Sequence, residues 1–271
     1  VGVIHFAADK AVNESVLNPM KYYQNNVLNL INFLEVIENT KIDSFVFSSS
    51  CTVYGVPDKI PVKEKAPIKL AFSPYGYTKQ VGERVLTDFF KTKPNSSLTL
   101  LRYFNPIGAH PSGLIGELPI GVPSNLVPYI TQTGVGKRKK LNVFGKDYDT
   151  DDGTCVRDYI HVVDLANAHV ASLKKGLNSS ESIKIYNVGT GKGASVMDVV
   201  TAFEKVSNQK LNYEFGPRRE GDVPEIYSDN ELIKNELGWD AKFLLEDCLE
   251  HSWKWEKNLV NFKYKSEKKQ G

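Results

Sequence analysis

Apolar residues are distributed in two alternating patterns along the first part of the chain. Three short runs are apolar almost throughout, as buried strands of a parallel sheet are, namely 1–7, 44–50 and 97–105. The segments between them, 18–40 and 73–92, carry apolar residues at helical spacing. Strands that alternate with helices in this way predict an α/β fold with a parallel, doubly wound sheet and right-handed crossovers.

The pattern becomes less regular after Asn105. A stretch rich in glycine and proline, 106–125, predicts a long loop, and loops of that length are usually functional or disordered. Short helices are predicted at 126–135, 163–175, 195–207, 229–236 and 244–257, and short strands near 141–144, 156–161, 184–188 and 211–215. We therefore divide the chain into a first domain, 1–105, and a mixed α/β domain, 106–271, and leave open a return of 184–188 to the main sheet.

The composition narrows the class of protein. A net charge of +2 with 24% charged residues is ordinary for a globular protein and does not indicate a nucleic-acid binder. No apolar run approaches the ~18 residues of a membrane span, so no membrane association is predicted. The cysteines, Cys51, Cys155 and Cys248, are scattered without C-x-x-C spacing, which predicts reduced thiols and a cytoplasmic location.

Two motifs are similar to ligand-binding loops but do not meet their requirements. GTGKGAS (189–195) has neither the phosphate-loop order nor the dinucleotide spacing of glycines, and we predict a tight strand-to-helix turn. DYDTDDG (147–153) places aspartates at positions one, three and five of a calcium loop, but Asp152 stands where the sharp turn needs glycine. The five histidines do not cluster at ligand spacing, so no metal site is predicted.

The heptapeptide SPYGYTK (73–79) places Tyr75 four residues before Lys79, a spacing that puts both on one face of a helix. A free tyrosine has a pKa near 10, and lowering it by ~3 units needs about 4 kcal/mol. A unit positive charge 4 Å away supplies about that much at an effective dielectric of 20. We therefore expect Lys79, aided by a second cation, to make Tyr75 a base at neutral pH, although the spacing alone also occurs in solvated helices.

A serine run, 48–50, ends the predicted strand 44–50, where active sites of such sheets lie. The hydroxyl of Ser50 could hydrogen-bond the same substrate oxygen that Tyr75 deprotonates. A serine run after a strand is also typical of a plain turn.

Five segments together resemble the UDP-glucose 4-epimerase family of extended short-chain dehydrogenases/reductases. They are FSSSCTVYG (47–55), SPYGYTK (73–79), RYFNPIGAHPSG (102–113), FGKDYDTDDGTCVRDYIHVVDLANAH (144–169) and PRREGD (217–222). They occur in collinear order over nearly the whole chain. The resemblance implies a Rossmann-like sheet, bound NAD and a UDP-sugar substrate.

The resemblance also implies a reaction and its residues. Bound NAD takes hydride from C4 of the hexose, the 4-keto sugar rotates, and the hydride returns to the other face. Tyr75 is implied as the acid/base on the C4 hydroxyl, Lys79 as the residue that lowers its pKa and holds the nicotinamide ribose, and Ser50 as part of the hydrogen-bond chain. Further NAD contacts are implied for Lys10, Asn25 and Phe104. The family usually has Gly-Leu where this chain has Ala8-Asp9, so contacts there are expected to differ.

For the UDP-sugar, the resemblance implies contacts in the second domain. They are Asn105, Asn125 and Leu126 at the sugar, Leu141, Asn142 and Phe144 at the uracil, and Arg157, Arg219 and Asp222 at the diphosphate and ribose. Guanidinium groups suit a diphosphate, and a carboxylate accepts from ribose hydroxyls. Ile226 matches a position beside the sugar's 2-substituent, where some members have tyrosine and others a small residue. A preference for UDP-glucose and UDP-galactose over N-acetyl sugars is therefore expected.

Two alternatives stay open. One is another NAD-dependent nucleotide-sugar epimerase or a dehydratase, but dehydration needs a further acid and base. Cys51 and Thr52 stand where dehydratases that resemble this chain carry a carboxylate pair. The other is a non-catalytic UDP-sugar-binding fragment. The resemblance also implies a homodimer formed through helices 18–40 and 73–92.

The predicted strand 1–7 places the start of the chain in the middle of a core, and no G-x-x-G-x-x-G turn follows an early strand. We expect the sheet to lack its first strands, which as two βαβ units amount to roughly 60 residues. On this expectation the full-length parent is an active epimerase that retains NAD. The 271-residue chain as written is then expected to be inactive, to bind NAD poorly and to aggregate through an exposed edge.

Overall fold

The structure, a computed structural model, describes residues 1–178, 183–219 and 222–267. Its strands are β1 (Gly2–His5), β2 (Ser44–Ser48), β3 (Ser97–Tyr103), β4 (Asn105–Ile107), β5 (Leu141–Phe144), β6 (Val156–Arg157), β7 (Tyr159–His161), β8 (Ile183–Val188), β9 (Ala194–Ser195), β10 (Tyr213–Gly216) and β11 (Glu225–Ile226). Its helices are α1 (Val12–Leu17), α2 (Pro19–Tyr22), α3 (Asn29–Ile37), α4 (Pro74–Lys91), α5 (Leu126–Gly134), α6 (Val162–Leu177), α7 (Val196–Ser207), α8 (Glu231–Leu237) and α9 (Leu245–Glu267). A π-helical segment, Tyr23–Leu28, joins α2 to α3, and a 3₁₀ turn spans Cys51–Tyr54.

The predicted parallel sheet is confirmed. Within the described residues it has the strand order β1-β2-β3-β8, and each of these pairings is parallel. β8 therefore returns to the main sheet, which is the alternative left open for 184–188. β2 is buried along its whole length, as a strand covered on both faces should be.

Helices α3 and α4 supply one side of the core of this sheet. Their apolar side chains pack on those of β2 and β3 in a cluster that includes Leu30, Leu34, Phe45, Phe47, Leu86, Phe90, Leu98 and Leu100. Gly82 of α4 allows close approach to the sheet, because a Cβ there would lie 2.9 Å from Cζ of Phe47. The packing fixes α4 against the strand that leads into the serine run.

Helix α4 begins where the sequence predicts. The hydroxyl of Ser73 accepts a hydrogen bond from the amide of Gly76 at 3.1 Å and so caps the helix. Pro74 occupies the first helical position, where its missing N–H costs little. As a result, Tyr75 and Lys79 lie on the buried face of the helix.

The helix predicted at 18–40 is interrupted by the π-helical segment and ends at Ile37. The buried side chain of Asn26 lies in this segment and binds both polar groups of the Asp9 peptide, at 2.8 Å and 2.9 Å. It also donates to Oγ1 of Thr78 in α4, at 3.1 Å. Such π turns occur where specific interactions outweigh a regular helical ladder, and they are frequent at functional sites.

Contacts along the chain define two compact units. The first unit comprises Val1–Phe104, Leu165–Gly191 and Tyr227–Asp240, and the second comprises Asn105–Asp164, Lys192–Ile226 and Ala241–Gly271. The sequence-based division had a single boundary, after residue 105. In the structure the chain leaves the first unit near that point but returns to it twice, with most of α6 and β8 and then with α8.

The second unit is built from small sheets. β5 pairs with β10, β4 pairs with β7, and β6 lies between β9 and β11. The strand predicted at 156–161 is divided at Asp158, whose carbonyl accepts from the amide of Asn105 at 2.9 Å. A hydrophobic cluster joins α5, α7 and α9 to β5 and includes Val127, Ile130, Leu141, Phe203, Leu249 and Trp253.

The motifs 189–195 and 147–153 form hydrogen bonds that stabilise the local fold. Ser195, at the end of 189–195, caps α7 in a reciprocal pair with Asp198, with both bonds at 2.9 Å. In 147–153, Asp152 accepts from the amide and hydroxyl of Thr154, at 2.8 Å and 2.6 Å. No group of three or more metal-ligating side chains is positioned to hold a metal ion in the described part of the chain. None of the helices in that part is long and apolar enough to cross a membrane.

Candidate active site

Tyr75 and Lys79 lie in the first two turns of α4 and are only 5% and 4% exposed. Nζ of Lys79 lies 6.0 Å from the centre of the Tyr75 ring and 4.9 Å from that of Phe47. It donates a hydrogen bond to the carbonyl of Ser48 at 2.8 Å. An ammonium has three donors, so further donors remain for a ligand hydroxyl in a region that water hardly reaches.

Burial dominates the electrostatics of the pair. It lowers the pKa of Lys79 to about 8, with the charge of Glu83 acting in the opposite direction. Burial also raises the pKa of Tyr75, the charge of Tyr103 adds to the increase, and a hydrogen bond with Ser50 opposes it. The net direction for Tyr75 is opposite to the one expected from the Lys79 charge, because desolvation of the phenolate outweighs it. In this state the phenol is a proton donor at neutral pH.

Ser50 follows β2 and caps the 3₁₀ turn, where its hydroxyl accepts from the amide of Thr52 at 3.3 Å. Its side chain is buried and also hydrogen-bonds Tyr75. Thr52 packs on the first turn of α4, since its backbone oxygen would lie 3.4 Å from a Cβ at Gly76. The serine run is therefore both a turn and part of the site, so the two interpretations of it do not compete.

A buried ion pair that sequence analysis did not single out holds this region together. Glu83, one turn after Lys79, accepts from Nε and Nη2 of Arg102 at 2.9 Å and 2.6 Å. It also accepts from the hydroxyl of Ser49 at 2.6 Å. The bonds join α4 to β3 and to the serine run. From sequence alone, Glu83 has the features of an ordinary exposed helical residue.

The residues implied for NAD are distributed around the first unit. Phe104 is buried just after β3, and its amide donates to the carbonyl of Val188 at 3.1 Å. Asn25 lies in the π-helical segment, next to the buried Asn26. Lys10 is exposed and follows Asp9, whose peptide Asn26 holds. Asn26, which sequence analysis also missed, thus ties the Lys10 segment to α4; only its position in an Asn-Asn doublet marks it.

In the second unit, Arg157, Arg219 and Asp222 lie together. The carboxylate of Asp222 accepts from Nε and Nη2 of Arg219 at 3.1 Å and 2.8 Å. Nη2 of Arg157 lies 3.5 Å from the same carboxylate. Two guanidinium groups and one carboxylate leave a net positive charge, which suits an anionic ligand such as a diphosphate.

Two further predicted residues adjoin this cluster. Ile226 is buried and pairs directly with Arg157 across the β11–β6 ladder. The ring of Phe144 lies 5.8 Å from the guanidinium of Arg219. The predicted residues of β5 alternate, so that Asn142 and Phe144 are exposed whereas Leu141 points into the hydrophobic core. Any ligand contact of Leu141 is therefore limited to its backbone.

The residues implied for the sugar lie on other elements of the second unit. Asn105 begins β4 and is held by the Asp158 carbonyl. Asn125 precedes α5, is exposed, and donates from its amide to Glu117 at 3.1 Å. Leu126 begins α5 and packs against the hydrophobic cluster of this unit.

The chain is similar to known proteins over nearly its whole length. A family model described as GDP-mannose 4,6 dehydratase matches residues 1–252. UDP-glucose 4-epimerase of Bacillus subtilis is 52% identical over 259 residues, which are 96% of this chain and 76% of that protein. The bifunctional UDP-glucose 4-epimerase and UDP-xylose 4-epimerase 1 of Pisum sativum is 50% identical over 258 residues, 94% of this chain and 73% of that protein.

Solved structures give the same result. The chain is similar to UDP-glucose 4-epimerase from Bifidobacterium longum in complex with NAD⁺ and UDP, with a TM-score of 0.92 and 45% identity over 96% of this chain and 77% of that one. It is equally similar in fold to UDP-glucose-4-epimerase from Stenotrophomonas maltophila with bound NAD and a UDP-arabinopyranose derivative, with a TM-score of 0.92 and 44% identity over the same shares. With relatives about half identical over nearly its whole length, this chain belongs to the UDP-glucose 4-epimerase family.

Proposed function

We propose that this protein interconverts UDP-galactose and UDP-glucose with the help of tightly bound NAD. The observation that carries the proposal is the buried Tyr75–Lys79 pair beside Ser50, at the carboxyl end of a parallel sheet, in a member of this family. Burial of the tyrosine hydroxyl and of the lysine ammonium costs free energy, so neither group is buried for the sake of stability. A reaction that needs a positioned proton donor explains why they are buried.

Each residue of the first unit has a defined part. NAD, when bound, supplies a hydride acceptor and donor for C4 of the hexose. Tyr75, in the phenolate form that the positive charges of Lys79 and of the bound cofactor favour, takes the proton of the C4 hydroxyl, and as the phenol gives it back; Ser50 bonds the same oxygen and the phenol. Lys79 binds ribose hydroxyls with the donors that Ser48 leaves unused. Lys10, Asn25 and Phe104 complete the residues that would hold the cofactor.

Residues of the second unit bind the UDP-sugar. Arg157 and Arg219 bind the diphosphate, and Asp222 accepts from ribose hydroxyls while it orients both guanidinium groups. The uracil contacts are Phe144 and Asn142, together with the backbone of Leu141. Asn105, Asn125 and Leu126 face the sugar.

Two finer features belong to the same proposal. The protein forms a homodimer through the helices within 18–40 and 73–92, because apolar side chains of this region are exposed, Met20 at 65%, Leu28 at 50% and Val36 at 79%. It works in the reducing cytoplasm, in keeping with Cys51, Cys155 and Cys248, none of which forms a disulfide in the described part of the chain.

The test uses the protein expressed from its full reading frame. We expect it to purify with stoichiometric NAD and to convert UDP-galactose to UDP-glucose. Tyr75→Phe should reduce turnover by ~10²–10⁴-fold, because a positioned acid/base is lost, while UDP-sugar binding survives. Tyr77→Phe is the matched control, since Tyr77 lies on the same helix but is 45% exposed.

The same assay separates the alternatives. The name of the matching family model favours a dehydratase. A dehydratase would release water and leave a keto product lighter by the mass of one water, about 18 mass units. A non-catalytic binder would retain UDP-sugar without turnover. Near-normal activity of Tyr75→Phe would refute the role of the tyrosine even if the protein proved to be an epimerase.

A further inference from the structure

Ser48, the last residue of β2, takes part in three hydrogen bonds outside the ladder of the sheet. Its carbonyl accepts from Nζ of Lys79 at 2.8 Å. Its hydroxyl lies 3.0 Å from Nε2 of His169 and 3.4 Å from the hydroxyl of Tyr103. The reaction as proposed above uses neither His169 nor Tyr103, yet this chain of bonds ends at the ammonium beside Tyr75.

The tautomer of His169 sets the direction of these bonds. Nδ1 lies 2.8 Å from the carbonyl oxygen of Leu165, one turn earlier in α6. A carbonyl only accepts, so Nδ1 carries the proton and Nε2 of the neutral ring has a lone pair. The Ser48 hydroxyl therefore donates to Nε2, and its oxygen accepts from the hydroxyl of Tyr103.

Burial keeps the hydrogen-bonded side chains of His169, Ser48 and Tyr103 uncharged. His169 and Ser48 are each 1% exposed. Burial lowers the pKa of His169, against the opposing effect of its bond to Leu165. Burial likewise raises the pKa of Tyr103, against the opposing effect of Ser48. The ring of His169 also packs on Phe6, with centroids 4.6 Å apart. Neutral partners in fixed orientations make a restraint rather than a charge relay.

We propose that His169 is a positioning residue, which acts through the Ser48 hydroxyl on the Ser48 peptide that holds Lys79 beside Tyr75. The inference rests on the proposed function. Hydroxyl and carbonyl belong to one residue, so anchoring the hydroxyl limits the freedom of the carbonyl that Lys79 binds.

Other titratable groups also face this ammonium. They are His5 from β1, and Glu83 and Tyr75 from α4 itself. The hydrogen bonds from His169 through Ser48 connect α6 to the Lys79 ammonium by way of β2. The charges of Cys51, Tyr103 and Tyr22 would act on Tyr75, and that of Cys51 also on Tyr103.

The kinetic test compares two variants of the full-length protein. His169→Phe removes the acceptor but keeps a ring against Phe6, whereas His169→Gln keeps an acceptor oxygen near the position of Nε2. We expect His169→Phe to lower kcat between about 10- and 100-fold with little change in KM, because the reacting groups lose their alignment. The ascending limb of its pH profile should move to higher pH, since an ammonium farther from Tyr75 stabilises the phenolate less. His169→Gln should keep the wild-type limb.

A second readout needs neither cofactor nor turnover. The chain has five histidines, so the ring nitrogens can be followed by NMR, and His169→Gln identifies the signals of His169. We expect a neutral ring protonated at Nδ1 that does not titrate near neutral pH. Ser48→Ala should change the Nε2 shift, because that lone pair loses its donor.

Several outcomes would overturn the inference. One is a His169 ring protonated at Nε2, and another is an Nε2 signal that ignores Ser48→Ala. A folded His169→Phe variant with wild-type kcat would also overturn it. So would a variant that loses kcat and thermal stability while the ascending limb of its pH–rate profile stays in place. If the wild-type protein does not convert UDP-galactose, the proposed function fails, and the histidine spectrum still decides whether the chain of bonds exists.

Discussion

Lys79 carries its charge at a cost in stability. Its pKa is lowered to about 8 in the folded state, chiefly by burial, from an ordinary value of 10.5. Between these two pH values the unfolded chain binds the proton more tightly, so the free energy of unfolding rises with pH. Below the folded-state pKa the buried ammonium lowers the free energy of unfolding by its full amount, on the order of 3 kcal/mol.

We therefore expect Lys79→Met to be more stable than wild type at neutral pH, and the difference to shrink as the pH rises above about 8, towards the ordinary lysine pKa. Urea unfolding of both proteins at neutral and alkaline pH measures it, and all other titrating groups are common to the pair. The same variant should turn over slowly, with its pH–rate profile moved upward. A stability difference that does not depend on pH would contradict the buried charge.

Ile226 is the residue that we expect to set the choice of sugar. Its side chain is buried beside Arg157, and its size lies between the tyrosine and the small residues implied for the family. UDP-galactose should be preferred over its N-acetyl counterpart, and Ile226→Ala should narrow the ratio of kcat/KM values by an amount equivalent to ~1–3 kcal/mol. Ile233→Ala, at a buried isoleucine of the first unit, is the control. Equal efficiency of wild type on both substrates would rule out this gate.

At this scale the sequence predicts the reacting pair but not its supports. The four-residue spacing places Tyr75 and Lys79 on one helical face, and local periodicity is enough for that. Glu83, Arg102 and His169 depend on contacts between residues far apart in the chain, which periodicity does not encode. The depth of burial, which raises the pKa of Tyr75 in the structure, is a property of the fold that local periodicity does not encode.

Among the elements, α4 depends on a close approach to the sheet. A methyl group at Gly82 would meet the ring of Phe47 at 2.9 Å. Gly82→Ala gains about 1 kcal/mol in helix propensity but overpacks a buried ring, which typically costs ~1–3 kcal/mol. We expect a lower Tm and lower turnover, because Phe47 also contacts Lys79. Thr87→Ala in the same helix supplies the propensity gain without the clash, and a Gly82→Ala protein that melts above it would contradict the packing.

Long elements were predictable and very short ones were not. β2, β3 and α4 carry enough apolar positions to establish a period, and their bounds agree with the prediction within two residues. β9 and β11 have two residues each, too few for any period. The π-helical segment within 18–40 was missed because its cause is the bond from Asn26 to Asp9, not a local preference.

For the whole molecule, the dimer is open to a direct test. Leu28→Glu with Val36→Glu places charges on the exposed apolar face of the π-helical segment and α3. An unpaired charge buried in an interface costs about 3–5 kcal/mol, so the dimer should dissociate in light scattering. The control is Leu118→Glu with Ile120→Glu, which changes two exposed apolar residues in the second unit. A double variant that remains dimeric would exclude this face as the interface.

The single domain boundary predicted from sequence rests on a change of composition along the chain. Composition changes at Asn105, and a boundary there is visible without any structure. The later returns to the first unit change neither composition nor periodicity, because β8 and α8 are similar in character to their neighbours. The pairing of β8 with β3 reveals the first return, and the contacts that place Tyr227–Asp240 in the first unit reveal the second.

That pairing has a consequence during synthesis on the ribosome. β3 emerges early, but the strand that covers its second edge, β8, follows only after the intervening residues, most of which belong to the second unit. At 5–20 residues per second, the roughly 80 residues between the two strands take about 4 to 16 seconds to translate. For that time the nascent chain presents an open strand edge beside an apolar core, which is a template for pairing with a neighbouring nascent chain. Synonymous codons that slow translation between β3 and β8 should therefore lower the soluble yield of an unchanged protein.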